Sequence, residues 1–273
     1  MALCPSPRSR AHVLIRRALN QKTCHGLSFE AFLDAAQALG CVGVEPRNDL
    51  GRPFFDGIGA AEAARMAQDR GLRLLGLSEI YGFNVWDDHR AAQVMSLADV
   101  AEASGAETVS LIPCVDDRSV TPLRDVLREL VPLFKGRSVI PLLEPIGFTS
   151  SSIPHKAELV RAIDALDPDL FRMVHDTFQH CISGETELFP ELTGMVHISG
   201  ISAADAKLDQ IQDAHRVWVD ADDRCGNVDQ LRDLLGGGYL GSISFECTED
   251  GLWETDGLNK ARRSFEYIER ALG

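Results

Sequence analysis

Four side chains that can bind a metal ion follow four successive apolar segments in the second half of the chain. Each segment has the composition of a buried strand, and each of these side chains comes where the strand pattern ends. A linear motif would place its ligands close together in sequence, whereas this arrangement takes one donor from each of several strands. The four candidate ligands are Glu144, Asp176, His197 and Glu246.

Their chemistry suits a single divalent cation. Carboxylate oxygens and imidazole nitrogens bind such ions at about 2.0–2.2 Å, and three carboxylates with one imidazole form a mostly oxygen shell. Such a shell favours Mn²⁺ and also accepts Mg²⁺, Zn²⁺ or Co²⁺. A lone acidic residue after a strand is more often a helix N-cap, and Glu45 and Glu79 are open to that simpler interpretation. Four candidates on consecutive strands are harder to explain as caps, so we expect one divalent metal ion as cofactor.

The elements that must position these ligands alternate along the chain. Buried-strand patterns are separated by amphipathic helical patterns, as where Ser28 precedes a helix with Phe29, Phe32 and Leu33 on one face and Gly40 ends it. Strands that alternate with helices predict a parallel sheet, and about eight such pairs follow one another without a domain break. Eight units predict a (β/α)₈ TIM barrel, which takes about 250 residues. A doubly wound open sheet is the alternative, but no G-x-G-x-x-G segment follows a first strand.

The organisation of the chain is therefore simple. We expect residues 1–12 to be a loose N-terminal segment and residues 13–273 to form one barrel domain. Five local expectations depend on weaker signals. They are a strand over residues 72–77, an N-cap at Thr121, a helix that begins at Pro154, a loose stretch from 177 to Pro190, and an extra strand over residues 217–219.

Composition excludes several classes of function. The formal net charge of −14 makes nucleic acid a poor partner, because an acidic surface repels the phosphate backbone. No apolar run approaches the roughly 18 residues that a membrane helix needs. The seven cysteines are scattered singly without a C-x-x-C pair, which favours reduced thiols and a cytoplasmic location.

At the predicted strand ends the chain resembles the xylose-isomerase-like TIM-barrel superfamily, which includes sugar-phosphate isomerases and ketose 3-epimerases. The resemblance covers roughly Leu14 to Leu272. It rests on four segments in the order usual for the ligands of that superfamily. These segments are Glu144-Pro145-Ile146, Asp176-Thr177-Phe178, Val196-His197-Ile198-Ser199-Gly200 and Ser244-Phe245-Glu246-Cys247.

Within the superfamily, two segments look most like the inosose (keto-inositol) isomerase branch. They are residues 43–49, with the sequence GVEPRND, and residues 144–148, with the sequence EPIGF. The resemblance implies an enzyme with one divalent ion in which Glu144 and Glu246 are both ligands and acid–base groups, and it is compatible with a homodimer. The chain departs from the family at Gln179, where a substrate-contacting His is common, and the next residue is His180.

The expected reaction moves a carbonyl to a neighbouring carbon through a metal-stabilised enediolate. The substrate would be a small polyhydroxy ketone, with a keto-inositol preferred and a related ketose next. Such a neutral substrate needs polar partners around the mouth of the barrel, and Arg216 lies where the resemblance implies a substrate-contacting arginine. The candidates for substrate binding are Glu45, Arg47, His180 and Arg216.

Several alternatives remain open from the sequence. A ketose 3-epimerase or an inosose dehydratase would use the same ion and the same carboxylates on a related substrate. A metal-dependent hydrolase, such as the endonuclease relatives of this barrel, is more distant, because those enzymes use more histidines and basic residues. A barrel that binds a sugar or a metal without catalysis would have the same strand ends.

Overall fold

A closed ring of parallel strands forms the centre of the molecule. The structure is a computed structural model, and it describes residues 14–203 and 205–273. The expected loose segment at residues 1–12 lies outside the described residues. The strands of the central sheet are β1 (Arg17–Asn20), β2 (Gly43–Glu45), β3 (Arg73–Leu74), β4 (Leu77–Tyr81), β5 (Thr108–Ile112), β6 (Ile140–Leu143), β7 (Arg172–Asp176), β8 (Thr193–Ile198) and, after a short hairpin, β11 (Ile243–Phe245).

The order of these nine strands is β3-β2-β1-β11-β8-β7-β6-β5-β4. β3 and β4 stand at the two ends of this order but follow each other in the chain, joined by Leu75 and Gly76. The Leu75 amide donates to the Val44 carbonyl at 2.9 Å on one side, and the Glu107 amide donates to the Leu74 carbonyl at 3.1 Å on the other. The two short strands therefore share one position, and the ring has eight positions. The predicted (β/α)₈ TIM barrel is confirmed.

Helices surround the ring and bury their apolar faces against it. The helices are α1 (Phe29–Ala38), α2 (Ala60–Asp69), α3 (Asp88–Ser104), α4 (Leu123–Phe134), α5 (Lys156–Asp164), α6 (Thr177–Ser183), α7 (Asn227–Gly236) and α8 (Gly257–Leu272). Helix α1 begins where the sequence predicted, because the Ser28 hydroxyl accepts from the Ala31 amide and caps the helix. Phe29, Phe32 and Leu33 are fully buried between this helix and the sheet, as their spacing predicted. None of the described helices has the length and apolarity to cross a membrane.

A small apolar plug fills the barrel below its C-terminal mouth. It is a separate cluster of buried side chains from five positions of the ring, namely Ala18, Leu75, Leu142, Val174 and Met195. Side chains two residues apart on a strand point to the same face. Residues two positions after Leu142, Val174 and Met195 must therefore point into the mouth of the barrel, directly above the plug.

The weaker local expectations needed correction. The strand over 72–77 is split into β3 and β4 and extends to Tyr81, since the chain changes neighbours there. Helix α4 has Pro122 at its N-cap position without a side-chain cap, so the N-cap prediction at Thr121 was wrong. Helix α5 begins two residues after Pro154. The loose stretch after residue 176 contains helix α6.

The extra strand begins one residue and ends two residues before its predicted bounds. It is β10 (Arg216–Val217), and it pairs antiparallel with β9 (Gly200–Ile201) rather than joining the barrel. This hairpin organises the long polar loop that follows β8. It carries Arg216 back over the mouth, beside the residues at the ends of β7 and β11.

Candidate metal centre and substrate cavity

The four predicted ligands meet at one point in the mouth of the barrel. Three of them come two residues after an inward-pointing side chain of the plug, since Glu144 follows Leu142, Asp176 follows Val174 and His197 follows Met195. One ligand atom from each of these three and from Glu246 can be chosen so that all four lie within 4.8 Å of one another. All four side chains are buried. The spacing fits one small ion held by donors from four consecutive positions of the ring.

His197 supplies the clearest sign of a metal site. Its Nε2 lies 3.0 Å from Oε2 of Glu45, and because a carboxylate only accepts, the imidazole is the donor. Its other nitrogen, Nδ1, is buried and makes no hydrogen bond to the described residues. That atom faces carboxylate oxygens of Glu246 at 3.3 Å and Glu144 at 3.8 Å. A buried, unpartnered imidazole nitrogen among carboxylates is the environment that a divalent ion satisfies.

The same surroundings attract positive charge to His197. Burial alone would lower the pKa of its imidazole, but Glu45 and Glu246 raise that pKa well above its ordinary value. A proton and a metal ion therefore compete for Nδ1, as expected for a histidine ligand.

Glu45 holds a different place from the one predicted for it. Its predicted role is substrate binding, but its side chain is fully buried and does not line the cavity. It lies behind His197, where it fixes the orientation of the ring through Nε2. A carboxylate in this position increases the basicity of a histidine ligand and selects its tautomer.

The two carboxylate oxygens of Asp176 have different roles, one in capping a helix and one in the cluster. Oδ1 accepts from the Gln179 amide at 2.9 Å and caps the short helix α6, whereas Oδ2 accepts from Nη2 of Arg216 at 2.5 Å. This helix was not predicted from the sequence. The signals for it were present, because Asp176 precedes it and Gly184 ends it with a left-handed φ of 70°.

The two glutamates of the cluster have unlike surroundings. Glu246 accepts from Nη1 of Arg47 at 2.7 Å through Oε1 and from Nη2 of Arg216 at 3.2 Å through Oε2. Burial opposes its ionisation, but His197 and Arg216 hold the pKa of Glu246 well below its ordinary value. No described arginine or lysine forms an ion pair with Glu144, and burial raises the pKa of Glu144 to about 7.

Arg47 and Arg216 both line the cavity, as substrate-binding candidates should, but their donors are largely engaged. Arg47 donates to Asp49, Glu79 and Glu246, and its side chain is only 6% exposed. Arg216 donates from Nε to the Ser199 hydroxyl at 2.9 Å. The two guanidinium groups therefore hold the Glu246 carboxylate between them.

His180 faces away from the cavity. Its Nδ1 lies 2.6 Å from the ammonium nitrogen of Lys156, which is itself buried at the start of α5. Burial and Lys156 lower the pKa of His180 to about 4, and burial lowers the pKa of Lys156 to about 8. The preceding residue, Gln179, lines the cavity instead, and its Oε1 accepts from the Gly147 amide at 3.0 Å. The structure thus gives the prediction of a substrate contact at His180 no support.

His175 lies outside the barrel, because it precedes Asp176 and successive side chains of a strand point to opposite faces. Its Nε2 is 2.8 Å from Oε1 of Gln230 on α7, and its ring packs 5.1 Å from that of His180. This histidine belongs to the layer between sheet and helices and takes no part in the cluster.

A cavity of about 440 Å³ opens above the cluster. Glu144 and Glu246 of the cluster line one side of it, at the ends of β6 and β11. An apolar arc occupies the neighbouring ends of β4, β5 and β6, and its members are Tyr81, Ile112, Val115, Ile146 and Phe148. A chain of charged side chains occupies the ends of β1, β2 and β4 and includes Lys22, Asp49 and Glu79. Of these, the sequence had pointed only to Glu79, as a residue just past a strand.

Known structures share this architecture. A xylose isomerase domain-containing protein from Salmonella typhimurium LT2 is 26% identical, with a TM-score of 0.83 over 94% of this chain and 96% of that one. The IOLI protein, solved with a bound zinc atom, has a TM-score of 0.83 at 16% identity and covers 95% of this chain and 99% of its own. L-ribulose 3-epimerase has a TM-score of 0.69 at 17% identity over 95% of each chain.

Sequence comparison gives the family. No curated protein matches the chain significantly. A family model described as the xylose isomerase-like TIM barrel matches residues 33–271, which include all four residues of the cluster. The chain therefore belongs to the xylose isomerase-like TIM barrel family.

Proposed function

We propose that this protein is a divalent-metal-dependent isomerase that shifts the carbonyl of a small polyhydroxy ketone, with a keto-inositol as the preferred substrate. The observation that carries the proposal is the unpartnered Nδ1 of His197 among three buried carboxylates at the floor of an open cavity. Family membership supports it, because solved structures with this fold include an epimerase and a zinc-binding protein.

The charge of the cavity supports a neutral substrate. Its lining holds six carboxylates and three cationic side chains. A bound divalent ion offsets only part of this excess, so a phosphate or carboxylate on the substrate would be repelled. The carboxylates are Asp49, Glu79, Glu144, Asp213, Glu246 and Asp250, and the cations are Lys22, Arg47 and Arg216.

The apolar arc supports a substrate with a hydrocarbon face. A cyclitol ring presents C–H groups on its faces and hydroxyl groups at its edge. Packed against Ile112, Ile146 and Phe148, such a face would lose little hydration, whereas a hydroxyl turned toward the arc would lack a partner. A cavity with an apolar arc on one side and polar groups on the other therefore favours a keto-inositol over an open-chain ketose.

Glu144, Asp176, His197 and Glu246 would hold the ion, and Mn²⁺ is our first expectation, with Zn²⁺ next because IOLI binds zinc. When bound, the ion would supply a Lewis acid for the carbonyl and its neighbouring hydroxyl. Glu144 and Glu246 would move the proton between the two carbons that exchange the carbonyl. Arg47 and Arg216 would keep the Glu246 carboxylate fixed, and Glu144, without such clamps, would be freer to turn toward the substrate.

Elemental analysis followed by NMR in D₂O tests the proposal. The purified protein should contain about one divalent ion per chain, consistent with a single cluster. A panel of keto-inositols and ketohexoses should reveal exchange of one carbon-bound proton and formation of the isomeric ketone. The Glu144→Gln and Glu246→Gln variants should both lose this exchange. Full exchange by both variants would contradict the assigned roles.

A 3-epimerase is the second candidate. Glu144 and Glu246 end strands β6 and β11, which are separated by two other strands in the ring. Two carboxylates placed on different sides of the cluster could remove a proton from one face of a carbon and return it to the other. Product analysis separates the two candidates, because an epimerase changes one stereocentre and leaves the carbonyl where it was.

A further inference from the structure

We propose that Lys22, Asp49 and Glu79 form a distal polyol subsite. This subsite binds the substrate hydroxyl groups that lie farthest from the four candidate metal ligands. The proposal rests on the proposed function and adds the part of the substrate that this half of the mouth recognises. The three residues come from the first three positions of the ring, whereas the four candidate ligands come from the last four.

Glu79 offers a free acceptor to the cavity. Its Oε2 accepts from Nη2 of Arg47 at 2.6 Å, whereas Oε1 makes no hydrogen bond to any described residue and remains open to solvent. The backbone of Glu79 is held on both sides by one side chain, Asn48, which accepts from its amide at 2.9 Å and donates to its carbonyl at 3.1 Å. The open oxygen is therefore fixed in place before a ligand arrives.

Lys22 offers the complementary donors. Its ammonium group donates to Oδ2 of Asp49 at 3.0 Å, and the side chain is 35% exposed. Asp49 has its other oxygen on Nε of Arg47 at 2.7 Å. Asp49 thus anchors the lysine, and the ammonium group keeps further N–H groups for a ligand.

An acceptor and a donor side by side suit hydroxyl groups better than ions. A hydroxyl group both donates and accepts, so neighbouring hydroxyls can satisfy Glu79 and Lys22 together. An anion would meet the carboxylates of Glu79 and Asp49, and a cation would meet Lys22. A substrate whose hydroxyl groups reach both the candidate metal ligands and this subsite would be recognised at both ends.

The first test measures binding apart from turnover. Isothermal titration calorimetry of the metal-loaded protein would use myo-inositol, which has no carbonyl and cannot isomerise. Glu79→Gln keeps an oxygen for Arg47 but replaces the open acceptor by an amide donor. We expect it to weaken myo-inositol binding about 10- to 100-fold, the loss typical of a hydrogen bond to a charged group. The control is Glu129→Gln, an exposed residue of α4, which should bind like the parent protein.

A second variant guards against a folding defect. Lys22→Met keeps the apolar stem of a partly exposed side chain and removes only the donors, and it should also weaken binding.

A third measurement compares specificity constants for a keto-inositol and for dihydroxyacetone, which has no hydroxyl group beyond the two beside its carbonyl. The ratio of the two should fall at least about 10-fold in both variants, since remote contacts act only on the longer substrate.

The outcomes distinguish this subsite from the proposed function. Unchanged myo-inositol affinity in both variants, or an unchanged substrate ratio, overturns the subsite and leaves the isomerase proposal intact. Weakened myo-inositol binding without proton exchange on any ketone supports the subsite and contradicts the isomerase proposal.

Discussion

The imidazole of His197 donates from Nε2 to Oε2 of Glu45 over 3.0 Å, and both side chains are about 99% buried. The two residues are 152 positions apart in sequence and belong to strands β8 and β2. Because the bond holds Nε2 on the side of Glu45, Nδ1 is turned toward the carboxylates of the cluster. Glu45 is therefore an orienting residue for the candidate metal ligand.

Replacing Glu45 by Gln should weaken metal binding. The amide oxygen can still accept from His197, but the charge that increases the basicity of the ring is lost. The affinity for the metal ion should therefore fall about 10-fold or more. Chelator competition on the purified protein measures this affinity. Glu129→Gln on the exposed face of α4 is the matched control. Equal metal affinity in Glu45→Gln and the parent would show that Glu45 has no orienting role.

Replacing Arg47 by Met should destabilise the fold. The guanidinium is shared by Asp49, Glu79 and Glu246, so its removal leaves buried carboxylates without a cation and should cost about 3 kcal/mol in free energy of unfolding. Urea denaturation measures the loss. Arg124→Met, at an exposed arginine of α4, is the control. In an Arg47→Met, Glu79→Gln double variant part of the stability should return, and an additive loss would contradict the shared clamp.

Replacing Gly147 by Ala should disturb the loop after β6. A Cβ atom there would lie 2.1 Å from the Gln179 carbonyl oxygen, so the loop that carries Glu144 and the helix that follows Asp176 would have to separate. We expect a loss of about 2–3 kcal/mol in stability, as for other overpacked sites, together with weaker metal binding. The control is Gly236→Ala at the end of α7, where a Cβ meets nothing within 4 Å and Ala should be neutral or slightly stabilising. Wild-type behaviour of Gly147→Ala would refute this close approach.

Stability should fall in mild acid because of His180. Burial and Lys156 lower its pKa in the folded protein to about 4, while the unfolded chain takes up the proton near the ordinary value of 6.5. Between these two pH values the unfolded state binds more protons, so the free energy of unfolding decreases as the pH falls and should drop by up to about 2 kcal/mol. Urea titrations at a series of pH values, repeated on His180→Gln, measure this slope. The variant should lose part of it, and an identical slope would assign the acid sensitivity to other groups.

Local sequence patterns were enough to predict the barrel and the four residues of the ligand cluster. Strand and helix periodicities are local, and a parallel ring places every strand end at one mouth, so Glu144, Asp176, His197 and Glu246 could be grouped without coordinates. Elements that lack a strong local period were mistaken or missed. Helix α6 has only seven residues, and the strand at the third position of the ring is broken because β3 pairs with β2 and β4 with β5.

The surroundings of the cluster could be known only from the folded protein. Glu45 and His180 are polar residues near strand ends, and nothing in their spacing says that one lies behind His197 and the other against Lys156. Arg47 reaches Glu246 across 199 residues of sequence. These contacts depend on strand register and on how loops pack over the mouth, and both are set by the fold as a whole rather than by neighbours in the chain.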